Sequence, residues 1–456
     1  MLTRALVRKF PVLAARDFRL LLAERLVAPG AFAFSLVGVS FAVLDSTGSA
    51  RDLSYVLAAQ LAPSLVFMLV GGVIADRIAP QRVLLASNIL IALGEGTFGV
   101  LVLAGHPRLW QMIVLEMMTG TGMALFYPAS QALLPRLVTP DLLLQASAVS
   151  RLAMNGAMMG GAALAGECVA LVGPGWALTV CGAGMVATVP LLLAIRVRAH
   201  KREHATGMMR DLREGWSEFI SHTWLWVIVA QFAVVLMAWY GAFQVLGPVV
   251  AKTDLGGPAA WGLIAACEST GLIAGGILSL RISPRRPMMF VVLSGGLIAF
   301  SPLSLAMPWP LPAVCLTSLG LGIAIEMMMV QWTVTLARRI PPSKLARVSA
   351  YDGFGSMMAT PAGALIAGPV AAVIGVPAAE YGAAAVIVVA SALALIPRDI
   401  RSGRESAAEM VQVGSAEPVL VPVSAAEPVL VPVSAADGGT PTAAGEQPEL
   451  ASVASQ

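Results

Sequence analysis

Apolar residues in this chain fall in long unbroken runs separated by short polar breaks. Twelve runs lie near 20–44, 52–75, 82–104, 109–134, 144–171, 174–195, 222–250, 258–280, 287–307, 311–336, 349–373 and 377–396. Each reaches the roughly 20 residues that a helix needs to cross a bilayer. Barrel strands are about half as long and alternate in polarity, so the pattern predicts twelve transmembrane helices in an all-α membrane protein. The narrowest break, Gly173-Pro174-Gly175, is a turn between the fifth and sixth runs.

Composition strengthens this expectation. Hydrophobic residues make up 57% of the chain and charged residues 12%, half the charged share of an ordinary soluble protein. Such a chain could not cover its surface with polar groups in water. The basic residues sit in short loops and not in one patch, so no nucleic-acid partner is expected. Cys168, Cys181, Cys267 and Cys315 each lie inside an apolar run without C-x-x-C spacing, and read as small packed side chains. His200 and His204 are four apart but lack an evident third ligand, so no metal site is expected. The first apolar run follows a basic leader and continues to spanning length, unlike a cleavable signal peptide. No nucleotide-binding loop or nucleophile–base set is visible, so no enzyme is expected.

The breaks carry charge unequally. With twelve spans, both termini share one side. That side holds Arg16 and Arg19, Arg77 and Arg82, Arg136 and Arg151, the central basic loop, Arg281 to Arg286, Arg338 to Arg347, and Arg398 to Arg404. The other side holds only Arg51, Arg108 and Lys252. The positive-inside rule then places both termini in the cytoplasm.

The chain also repeats itself. Gly72-Val73-Ile74-Ala75-Asp76-Arg77-Ile78-Ala79-Pro80-Gln81-Arg82 returns as Gly276-Ile277-Leu278-Ser279-Leu280-Arg281-Ile282-Ser283-Pro284-Arg285-Arg286, with Leu280 where Asp76 was. Gly120-Thr121-Gly122 is answered by Gly320-Leu321-Gly322, Met158-Met159 by Met357-Met358, and Ser147-Ala148 by Ser349-Ala350. Matches in the same order near half-chain spacing indicate a duplicated architecture. The expected domains are a six-helix bundle over 1–195, a cytoplasmic central loop with an interfacial helix over 196–221, a second six-helix bundle over 222–396, and a disordered low-complexity tail over 397–456. The tail contains AEPVLVPVSA twice in tandem, over 416–425 and 426–435; its prolines oppose helix.

Six plus six spans, the central basic loop and the Gly72–Arg82 hinge together resemble the major facilitator superfamily, over about residues 14–397. DSTGSARDLSYVLAAQLAPSLVFMLVGGVIADRIAPQRVL and FYPASQALLPRLV look like its branch of macrolide-efflux proteins and enterobactin exporters. The hinge fits the superfamily's loop signature at Gly72, Asp76, Arg77 and Arg82, and departs from it at Ala79, Pro80 and Gln81. The resemblance implies that this loop latches the two halves, with Asp76 facing a helix N-terminus and the arginines holding its geometry; Gly276, Arg281 and Arg286 are its second copy. Span four fits the second family motif at Gly120, Gly122 and Ala124, but Glu116 replaces its arginine. The antiporter motif of span five keeps Gly156 and Gly160, while Gly161, Leu164 and Ala165 replace its proline and final glycines.

Charge is expensive in hydrocarbon, by a few kcal/mol or more per group, so embedded acids are functional candidates. Burial favours the protonated form of an acid, which suits a proton carrier; the counter-charge of a cationic substrate is the other use. The candidates are Glu116, Glu326, Glu24, Asp352, Glu95 and Glu268, with Glu167 also in a run. Pairing with Arg25 or Arg151, or hydrogen bonding between helices, is the structural alternative. The resemblance favours Glu116 and Glu326, since spans four and ten line the cavity in this fold. Met117, Met154, Met158, Met327 and Met357 are candidate cavity-lining residues, because flexible thioethers accommodate varied apolar shapes.

The expectation is a monomeric secondary transporter of the inner membrane. It would export an amphiphilic small molecule such as a drug or antibiotic, by proton antiport and alternating access between two bundles. It would use the proton gradient and no bound cofactor. A siderophore or secreted-metabolite exporter, and a transport-inactive sensor or scaffold, are the alternatives.

Overall fold

A computed structural model of the chain describes residues 11–77, 79–105, 107–196, 208–282 and 284–402. Side chains are described there except within 64–77 and 208–214 and at 127, 140, 342, 343, 346 and 402. The tandem repeat, His106, His200, His204 and the side chains of Gly72, Asp76 and Arg77 lie outside the described residues.

Every regular element among the described residues is helical. The first half contains α1 (Arg16–Thr47), α2 (Ala50–Arg77), α3 (Pro80–Leu103), α4 (Leu109–Leu133), α5 (Leu143–Val172) and α6 (Pro174–Ala194). The second contains α7 (Thr223–Asp254), α8 (Pro258–Ser279), α9 (Pro287–Ala306), α10 (Leu311–Arg339), α11 (Arg347–Ile374, entered through Pro342–Met357) and α12 (Val376–Ala394). All except α2 are long and apolar enough, over described residues, to cross a membrane; α2 is the twelfth helix, 28 residues long. Their outward faces carry Leu171, Leu193, Leu316 and Val373, all strongly exposed. In water such surface is unfavourable by about 25 cal/mol per Å²; against lipid tails that penalty disappears.

Local chemistry sets the breaks. Gly48 (φ 66°) ends α1 in the left-handed region, where a Cβ would be strained. Two equivalent turns repeat nearly the same backbone: Gly173 (φ 92°, ψ 164°) precedes Pro174, and Gly375 (φ 86°, ψ 153°) precedes Val376-Pro377. Duplication is thus visible in a turn that the tandem motifs did not mark. Prolines also interrupt the helices of the second half. Pro248 has no N–H to give the Gln244 carbonyl, and Gly247 N–H instead reaches Ala242, giving a π-helical segment at Tyr240–Leu246. Pro302 and Pro361 stand just after the breaks in α9 and α11.

Within the first half, α1 packs on α5 and α6, α3 on α4 and α6, and α2 on α4. In the second, α8 packs on α10, α9 on α10 and α12, and α7 on α11 and α12. The halves meet where α5 packs on α8 and α2 on α11. Small residues permit the tightest crossings, as expected where apolar burial gives helices no preference over lipid. Gly120 abuts the Gln60 carbonyl of α2, and Gly322 abuts the Glu268 carbonyl of α8. Crossing geometry therefore makes Gly322, and not Gly320, the counterpart of Gly120, while Gly320 faces open space.

The central segment forms an amphipathic helix, Met208–Ser221. Trp216 and Phe219 lie against Tyr351 of α11, with ring centroids 5.4 and 6.1 Å away. Glu218 accepts a 2.8 Å hydrogen bond from Lys344 and lies 3.5 Å from His222. One correction concerns the tail. Arg398–Ser402, inside the segment expected to be disordered, is a short helix. Ile400 is fully buried and Arg401 donates to the Ile396 carbonyl, which together hold this turn.

Candidate functional site

The halves enclose a cavity of about 160 Å³ between α1, α5, α7 and α8. Val37, Phe243 and Trp261 give it apolar walls, and Met158 borders it from α5. Its polar lining is Asn155 on α5, Gln244 on the π-helical segment, and Glu268 and Ser269 on α8. Glu268 sits at the α8–α10 crossing, where its own carbonyl is pressed against Gly322. No hydrogen bond to its carboxylate exists among the described residues, which leaves that group free for a cation or a donor within the cavity.

Above the cavity, at the end away from the chain termini, the two halves are tied together. Lys252 at the end of α7 lies 2.6 Å from Asp45 of α1 and donates to the Leu44 carbonyl at 3.0 Å. The Gly368 N–H of α11 donates to Ser54 Oγ of α2 at 2.6 Å. Gly262 of α8 meets α5 so closely that a methyl on it would lie 2.6 Å from Gly166 Cα. Nearer the middle, the Thr270 hydroxyl reaches Met159 Sδ at 3.1 Å. Nearer the terminal end of α5, Gly156 and Gly160 face open space.

Few of the predicted acids share the cavity. Glu268 lines it. Glu116 and Glu326, expected to face it, do not. Glu116 is fully buried and accepts from Gln60 Nε2 at 2.7 Å. Glu326 turns toward α8, where its Cγ would lie 3.8 Å from a methyl on Gly276. The reason is helix phase, since each acid occupies the face of its helix that crosses a neighbour in its own half. Glu95 accepts from Ser35 at 2.7 Å. Glu24 sits 4.0 Å from Arg25 and accepts weakly from Asn88 at 3.4 Å. Asp352 accepts from Trp332 Nε1 at 3.0 Å, joining α11 to α10, and Glu167 is exposed. Of the five candidate methionines, Met158 lines the cavity. Met154 lies 3.0 Å from Arg25, Met327 is buried in α10, and Met117 and Met357 are exposed.

In the hinge, Gly72, Asp76 and Arg77 occupy the last turns of α2, and Arg82 is exposed in the first turn of α3. Gln81, a departure from the family signature, donates to the Leu192 and Ile195 carbonyls and caps the end of α6. Arg281 and Arg286 of the second copy are exposed. Sequence reasoning missed Glu380 on α12, fully buried with neither carboxylate oxygen in a hydrogen bond. Its place inside the run 377–396 was the signal that marked the other acids. It also missed Asn155 and Gln244, because uncharged amides are not costly enough in a membrane to stand out.

Residues 26–351 match the family described as Major Facilitator Superfamily. The chain is 24% identical over 372 residues to the multidrug efflux pump Tap of Mycolicibacterium fortuitum, covering 77% of this chain and 88% of that protein. It is 27% identical over 290 residues to the enterobactin exporter EntS of Shigella dysenteriae serotype 1, covering 62% and 68%. Its fold is similar to a variant of the nucleoside transporter NupG, with TM-score 0.69, 11% identity and coverage of 83% and 99%. It is likewise similar to a bacterial homologue of the lysosomal transporter Spinster in an inward-facing, unoccupied conformation, with TM-score 0.65, 15% identity and coverage of 86% and 99%. With its twelve helices, paired halves and central cavity, this chain belongs to the major facilitator superfamily.

Proposed function

We propose that the protein is a secondary active transporter that exports amphiphilic small molecules from the cytoplasm by proton antiport. The observation that carries this reading is the cavity between the halves, apolar on most sides with Glu268, Asn155 and Gln244 converging on it. An apolar enclosure with a few placed polar groups is the usual form of a small-molecule site. Its 160 Å³ is less than the roughly 300–1,000 Å³ of drug-sized pockets. Binding therefore requires the halves to part, and the open space at Gly156 and Gly160 supports an opening at the terminal end. Arginine-rich loops at that end support a cytoplasmic orientation. The efflux activities named for Tap and EntS support export as the direction. Rocking of the halves would then break the Lys252, Ser54 and Gly262 contacts and release substrate at the far side.

The test is reconstitution of the monomer in proteoliposomes with an imposed pH gradient, challenged by antibiotics, dyes and siderophores. Discharge by several unrelated amphiphiles is expected of a multidrug exporter, and discharge by one siderophore of a dedicated one. Glu268→Gln should weaken cationic compounds by the loss of a charge-assisted contact, about 1.5–3 kcal/mol or roughly 10- to 150-fold in KM, and spare neutral ones. Folded protein that moves none of them would overturn the exporter reading in favour of a sensor or scaffold.

A further inference from the structure

Two acids lie in the first half, outside the cavity. Glu95 on α3 and Glu116 on α4 are both fully buried. Their helices cross in close contact: a methyl on Gly94 would meet the Thr119 hydroxyl and lie 3.0 Å from the Leu115 carbonyl oxygen. The two carboxylates are near enough for their charges to repel. Each has one oxygen held by an uncharged donor, Glu95 Oε1 by Ser35 and Glu116 Oε2 by Gln60, both at 2.7 Å. The remaining oxygens, Glu95 Oε2 and Glu116 Oε1, have no partner. The Thr119 hydroxyl lies fully buried beside Glu95. The other titratable groups that face the pair are Cys181 of α6 and Tyr240 of α7, neither of which can supply a positive charge. Among the described residues neither acid forms an ion pair.

Two neighbouring carboxylates without a counter-charge cannot both ionise in a medium of low polarity. We propose that Glu95 and Glu116 form one proton-binding site, distinct from the substrate cavity, in which the pair holds a single proton in place of a second charge. The proposal rests on the reading of the protein as a proton-coupled exporter, and supplies the proton's seat. The uncharged donors of Ser35 and Gln60 hold the ionised member, and the orphaned oxygens and Thr119 take the proton. The site touches helices that reach the boundary between the halves. Gln60 belongs to α2, which meets α11 across the two halves. Tyr240 opens the π-helical segment of α7 that carries Phe243 and Gln244 to the cavity wall. Proton and substrate thus occupy separate sites on helices that both reach the interface between the halves.

The test needs no known substrate. Infrared difference spectra of the full chain in lipid, recorded across pH in light and heavy water, report protonated carboxyl groups directly. A carboxyl band that titrates is expected in the wild type. Glu95→Gln and Glu116→Gln should each move the midpoint of the surviving acid by about one pH unit or more, the mark of a coupled pair, and the double variant should lose the band. Gln60→Leu, a smaller change in the same contact, should move the midpoint while leaving both acids in place. Independent loss of separate bands with unmoved midpoints would overturn the shared proton. A band that never titrates, or that responds to Na+ at fixed pH, would overturn the proton site. Because the readout is independent of transport, a titrating pair in a protein that moves no compound would fault the exporter reading alone. Active transport with an inert pair would fault this proposal alone.

Discussion

Gly368→Ala probes the contact by which the halves close over the cavity. Gly368 lies in α11, and an added methyl would strike the Ala50 carbonyl and Ser54 Oγ of α2 and stand 2.6 Å from Arg51 Cα. Two of these three are backbone atoms, so rotamer change cannot relieve the clash. Overpacking of this kind is unfavourable by about 1–3 kcal/mol. The penalty falls only on the arrangement in which α2 and α11 touch at this end, since parting the halves removes it. A differential free energy of that size moves a two-state equilibrium by roughly 5- to 150-fold toward the arrangement open at the end away from the termini. The assay is the reaction rate of Ser269→Cys, on the cavity wall, with a membrane-impermeant maleimide applied from that side, after replacement of the four native cysteines. The rate should rise by the same factor. Ser54→Ala adds no bulk and removes only the 2.6 Å hydrogen bond; about 1 kcal/mol predicts a rise near five-fold. An unchanged rate in folded Gly368→Ala protein would refute the claim that this contact closes the cavity.

Gly120→Ala is the complementary case. The methyl would strike the Gln60 carbonyl within one half, so no rocking relieves it, and thermal stability should fall in every conformational state as measured by melting in detergent. Lys344 holds the Glu218 carboxyl below its ordinary value of 4.5, chiefly through their hydrogen bond. A depressed folded value means that the contact is intact above the unfolded value and is lost only as pH falls through the folded one. Docking of the central helix should therefore be constant from neutral pH to about 5 and fail in stronger acid, whereas Lys344→Ala should release it at neutral pH, read by protease cleavage between α6 and α7. Asp76→Asn should leave the protein in the membrane and sharply lower transport in the proteoliposome assay; equal transport at equal expression would refute the latch role that the family resemblance gives this hinge.

Much of the architecture was legible because a bilayer imposes simple constraints. Backbone polar groups have no water to bond within it, so a long apolar run must be helical; run length and loop arginines then yield twelve helices and an expected orientation. The turn at Gly173-Pro174 was equally plain, because few residues other than glycine accept its φ. Which acid faces which neighbour was not legible. Glu116, Glu268 and Glu326 look alike in sequence, each an acid within an apolar run. Only helix phase and the glycine-mediated crossings at Gly120, Gly276 and Gly322 turned one toward the cavity and two away from it.

The sequence by itself determined that the protein is helical, membrane-spanning, duplicated and related to transporters, since those properties follow from length, polarity and local motifs. The tertiary structure alone decided that Glu95 and Glu116 lie beside one α3–α4 crossing, that the π-helical segment brings Gln244 to the cavity, and that Lys252, Ser54 and Gly262 tie the halves at one end. These relations depend on rotation about each helix axis and on how closely two backbones approach. One methyl group at Gly120 or Gly368 would alter them without changing the hydrophobic pattern of the chain.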